Sequence, residues 1–144
     1  MTHEDAGHYA GKHPTGTAPD PAAAAALEVE AGDGRITCAA AFEVADALGV
    51  SPSEIGKTLD LLEYRITHCQ LGLFGYSPDK KIVKAATEVP EALAEGLERV
   101  SSDGRLDCAS CWKIAAELGM ERMAVSAACE GLGLKIGPCQ LGAF

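Results

Sequence analysis

The residues of this 144-residue chain best suited to chemistry are its six cysteines. Cys38 and Cys108 each stand at the start of a helix-forming stretch, where the helix dipole favours a thiolate and lowers the thiol pKa. Cys108-Ala109-Ser110-Cys111 is a CxxC at such a start, the spacing of metal-binding and thioredoxin-type redox pairs, but no βαβ pattern surrounds it. The competing reading makes all of them small apolar core residues beside alanine. Other nucleophile and ligand patterns are missing: there is no phosphate-binding glycine loop, no Gly-x-Ser-x-Gly and no His-Glu-x-x-His, so the chain reads as non-enzymatic. His3, His8 and His13, with Glu4 and Asp5, recur at five-residue steps, which do not align on one helical face, and His68 has no counterpart in the repeat described next.

The elements that must position these residues are written twice. A shift of seventy positions lays Thr17–Phe74 on Thr87–Phe144 without a gap, with twenty of the fifty-eight pairs identical, which is enough to predict two copies of one fold. Asp33-Gly34-Arg35 matches Asp103-Gly104-Arg105, Leu48-Gly49 matches Leu118-Gly119, and Cys69-Gln70-Leu71-Gly72 matches Cys139-Gln140-Leu141-Gly142. Residues 51–60 and 121–130 share no identity, although their apolar rhythm is kept, so recognition is expected to differ there. A unit this small sits near the lower limit for a self-sufficient core. With aromatics at 5 % and alanine abundant, close helix packing is predicted.

Each copy divides into the same elements. A first helix covers Ala22–Glu30 and, in the second copy, Glu91–Val100; the Asp-Gly-Arg turn and a very short strand follow. Cys38 or Cys108 then opens a second helix that Gly49 or Gly119 ends. Ser51-Pro52-Ser53-Glu54 has the capping-box spacing of a third helix, with inner stripe Ile55, Leu59 and Leu62, replaced by Val125, Cys129 and Leu132. Arg65–Gln70 alternates like a strand and is expected to return as Lys81–Lys84 in a hairpin; the second copy stops before any return strand. The predicted organisation is a flexible arm over 1–16, repeats over 17–74 and 87–144, and a wing or linker over 75–86.

The second helix, the tight Leu-Gly-Val turn and Ser-Pro-Ser-Glu-Ile-Gly-Lys-Thr-Leu resemble the helix-turn-helix of winged-helix regulators, over Phe42–Leu62 most clearly. The resemblance implies a mainly α fold with small β-hairpins, built as two tandem winged-helix-like repeats. It implies a recognition surface of Ser51, Ser53, Glu54, Lys57 and Thr58, with Lys80, Lys81 and Lys84 on the wing. It also implies that the strand carrying Cys69 or Cys139 runs near the head of the second helix. Cys38 would then meet Cys69, and Cys108 would meet Cys139, as a metal or redox site to which Cys111 adds a third ligand; two sulfurs are too few for zinc.

Charge weighs on the choice of partner. The formal charge is −9, and the only basic cluster is Lys80, Lys81 and Lys84. So acidic a surface repels phosphate, and the third helices offer few cations. A regulatory or accessory role with a protein partner is therefore the favoured expectation, a DNA-binding transcription regulator the alternative, and a cysteine-based metal or redox sensor a further one. Self-association is also expected to be open to it. No signal peptide or membrane span is recognisable, so the expected location is the cytoplasm, where the cysteines stay reduced.

Overall fold

The computed structural model describes residues 9–76 and 81–143. Among them are six α-helices and two pairs of very short strands, arranged as two compact units. Unit 1 is Met1–Cys69 together with Gln140–Phe144, and unit 2 is Gln70–Cys139. The duplicated Cys-Gln-Leu-Gly motif is thus divided between its cysteine and its glutamine in both copies.

Unit 1 is built on α1 (Pro21–Glu30), β1 (Arg35–Thr37), α2 (Cys38–Leu48), α3 (Pro52–Leu61) and β2 (Arg65–Thr67). Side-chain caps set the helix starts: Asp20 accepts from the Ala23 amide at 2.9 Å, Thr37 from Ala40 at 3.1 Å and Ser51 from Glu54 at 3.2 Å. Gly49 stops α2 in the left-handed region at φ 65°, as an L-residue rarely can. Leu27, Ala41, Ile55, Leu59 and Ile66 fill the core at 3 % exposure or less.

Unit 2 repeats the plan with α4 (Glu91–Val100), β3 (Arg105–Leu106), α5 (Cys108–Leu118), α6 (Arg122–Leu132) and β4 (Lys135–Ile136). Asp107 caps α5 by accepting from the Ser110 amide at 3.0 Å. Leu93, Leu97, Leu106 and Val125 take the matching core places.

The strands differ from expectation. Both pairs are parallel, β1 with β2 in the register Arg35↔Arg65, Ile36↔Ile66 and Thr37↔Thr67, and β3 with β4 as Arg105↔Lys135 and Leu106↔Ile136. No hairpin wing forms in the described residues, and Lys81–Lys84 belong to no strand. One local cause is visible: His68 takes φ 51° and breaks the extended run directly after β2. Ile82 and Val83 amides donate instead to one acceptor, the Gly72 carbonyl, at 2.9 and 3.2 Å.

The N-terminal segment also departs from a free arm. Residues 1–8 lie outside the described part, but Tyr9–Lys12 form a short 3-10 turn. Its Tyr9 and Ala10 amides donate to the Glu63 carboxylate at 2.9 and 2.8 Å. Lys12 and His13 reach the buried Asp60 at 3.2 and 2.8 Å, and Lys12 also donates to the Gly142 carbonyl at 3.0 Å. Charge-assisted bonds of this kind order a segment whose composition alone would leave it loose.

The residues 140–143 lie against α3, and Gly56 is what admits them. A Cβ at Gly56 would stand 1.8 Å from the Leu141 carbonyl oxygen, which is backbone and unable to swing aside. Gly56→Ala is expected to cost roughly 1–3 kcal/mol in urea unfolding. Gly96→Ala, inside α4 with open space at its Cβ, is expected to gain about 0.4–1 kcal/mol in the same assay.

Candidate functional site

The expected recognition surface is only partly a surface. Ser51, Ser53 and Glu54 are exposed at the start of α3. Lys57 is half-buried and paired with Glu54 at 3.2 Å. Thr58 is buried at 1 % exposure, its hydroxyl donating to the Glu54 carbonyl at 2.9 Å. It cannot present a group to a groove, because the helix turns that face inward one residue before Leu59. Lys81 is bound to the Glu130 carboxylate, Lys84 is exposed, and Lys80 lies outside the described residues. The single cation of α6, Arg122, stacks 4.0 Å from the centre of the Trp112 ring and donates to the Gln70 side-chain carbonyl.

One cysteine contact lies outside the expected pairs. All six are thiols, and Cys38, Cys69, Cys108, Cys111 and Cys129 are buried, with Cys139 half-buried. The Cys108 amide donates to the Pro138 carbonyl at 3.3 Å, so the chain before Cys139 does run past the head of α5. The second half of the CxxC, however, turns into the core: Cys111 on α5 meets Cys129 on α6, and both are at 0 % exposure. Among the described residues no group of three or more His, Cys, Asp or Glu is placed to hold a metal ion.

Cys129 escaped the sequence reading because it kept the apolar rhythm of α6. The repeat itself carried a signal. In copy one the matching positions are Ala41 and Leu59, so a small and a large residue on facing helices have both become cysteine in copy two. The Cys111 thiol donates to the Cys129 sulfur, and this bond, with burial next, pushes the Cys111 thiol far above its ordinary value of 9.0. Cys111 therefore keeps its proton at neutral pH, while the bond it donates pulls the Cys129 thiol below its ordinary value, against the opposing effect of burial.

A second feature escaped the sequence reading altogether. In unit 1, α1 and α2 leave an open apolar groove of about 380 Å³ lined by Val29, Val44, Ala47 and Leu48, with Glu30 and Glu43 on its rim. Val29 is 83 % and Leu48 39 % exposed, although both lie on helices that pack together. Exposed apolar side chains set beside charged ones make this groove a candidate contact surface of unit 1.

The thiol pair gives a test in two parts. Cys129→Leu alone is expected to overpack the α5–α6 contact and cost roughly 1–3 kcal/mol, whereas Cys111→Ala with Cys129→Leu restores the copy-one filling and stays within about 1.5 kcal/mol of the wild type. The folded Cys111 holds a proton that the unfolded chain releases near pH 9.0. Its contribution is therefore whole below that pH and is lost as the pH rises past it, a fall that urea unfolding should show and the double variant should lack.

No family model, curated protein or solved structure matches this chain.

Proposed function

We propose that this chain is a non-enzymatic regulatory or accessory protein that recognises another protein through the faces of its tandem helical repeats. The observation that carries the reading is the groove between α1 and α2 of unit 1, whose apolar floor and carboxylate rim suit a protein surface and repel a phosphate backbone. Three of the cations that a DNA-binding surface would use support it from the other side, although Lys84 stays exposed. Lys57 is tied to Glu54, Lys81 to Glu130, and Arg122 to Trp112 and Gln70. Each would have to break an existing contact before reaching a phosphate.

The alternative, a DNA-binding transcription regulator using α3 and the lysines of 75–86, makes a contrary forecast. Phosphate contacts give sequence-independent binding at low salt that falls steeply as salt rises. Fluorescence anisotropy with random duplex DNA is expected to detect no such binding. A steep salt slope that Lys57→Ala and Lys84→Ala abolish would replace the protein-recognition reading with the DNA one. In pull-downs from a lysate of the source cells, a partner is expected with the wild type and lost with Val29→Arg, a substitution at a side chain too exposed to disturb the core.

A further inference from the structure

The groove of unit 1 has a counterpart face in unit 2 that carries two basic side chains and one acidic one, Glu117 in the place of Ala47. The seventy-residue shift places Arg99 where unit 1 has Val29, Val100 where it has Glu30, Lys113 where it has Glu43, and Leu118 where it has Leu48. The same helix pairing builds both faces, α1 with α2 and α4 with α5. Val100 and Leu118 are 43 % and 42 % exposed, as Val29 and Leu48 are exposed on unit 1. Glu30, Glu43, Arg99 and Lys113 are all exposed. None of the four has an ion-pair partner among the described residues.

We propose that the occupant of the unit 1 groove is the α4–α5 face of a second copy of this chain. This rests on the protein-recognition reading above and names the partner. Val100 and Leu118 would cover the apolar floor, while Arg99 and Lys113 would meet Glu30 and Glu43 on the rim. The contact joins two different surfaces, so it is heterologous: each chain offers one free groove and one free basic face, and copies add head to tail into a ring or an open string. Groove against groove is disfavoured, because it would set Glu30 and Glu43 against their own copies. The patches are small beside a stable dimer interface, so association is reversible and follows concentration.

The test is a charge exchange in the full-length chain, read by sedimentation velocity over a concentration series. Glu43→Lys and Lys113→Glu each place at one copy the charge its sister copy already carries, so both are compatible with the fold. Wild-type protein is expected to grow in size with concentration. Each single variant opposes like charges across the contact and is expected to associate roughly tenfold more weakly. In an equimolar mixture the groove of each single variant meets opposite charge on the face of the other, position 43 against position 113, so alternating copies should recover wild-type association.

A wild type that stays monomeric would overturn the proposal. So would single variants that associate like the wild type, a mixture that fails to recover, or a Glu43→Lys protein that associates more strongly by itself, which marks groove-on-groove pairing. These outcomes leave the protein-recognition reading to the DNA titration and pull-down, which do not depend on self-association.

Discussion

Each unit depends on the pairing of two strands only two or three residues long, and on that pairing being parallel. Parallel neighbours cannot be joined by a tight turn, so the chain between them must cross from one end of the pair to the other. Here the crossover is the helical hairpin, α2–α3 or α5–α6. The strand pair therefore clamps the head of one helix to the tail of the next, and the left-handed glycine between the helices sets how sharply they turn. Pinning both ends of a helical hairpin is an economical way to hold helices of ten or eleven residues, which are marginal on their own in water.

On this shared order of elements the two copies diverge by side-chain exchange. Ala41 and Leu59 in one core become Cys111 and Cys129 in the other, and Glu43 on one face becomes Lys113 on the other. Gly56, which admits a carbonyl against α3, becomes Ser126, fully buried in α6. Both copies also use an adjoining segment to cover the third helix. In unit 1, residues 9–13 and 140–143 do this, while in unit 2 the Ala86 amide donates to Ala127 and Lys81 reaches Glu130. Acidic residues at the matching positions 60 and 130 receive these segments.

Much of the helical framework was legible because it is written in local chemistry. Thr37, Ser51 and Asp107 announce helix starts through short side-chain oxygens, and Gly49 and Gly119 announce ends through φ above zero. The strand partners were illegible for a physical reason: in runs this short neither alternation nor length distinguishes a parallel from an antiparallel neighbour, and the left-handed His68 that ends β2 is not a residue type that advertises a break. The ordering of Tyr9–His13 was hidden because its partners, Asp60 and Glu63, are some fifty residues away and read singly as solvent-facing acids. Of the candidate sites, the CxxC was visible, but its true neighbour was disguised as an apolar stripe residue. The α1–α2 groove was invisible because Val29 on a helix reads as core until the packing shows it outside.

The discontinuity of unit 1 bears on the order in which the chain organises itself. Unit 2 is one uninterrupted stretch, so every contact within it closes loops shorter than its own length. Unit 1 must bring residues 140–143 back to α3 across the whole of that stretch, and loop-closure entropy makes such distant contacts late. The sister copies, similar in architecture, thus differ in the length of chain that must close: unit 2 is completed within its own stretch, and unit 1 keeps the flank of α3 around Gly56 uncovered until residues 140–143 return. During that interval the bare flank of α3 is the surface most open to misassembly, where the closing segment of another molecule could settle in place of its own.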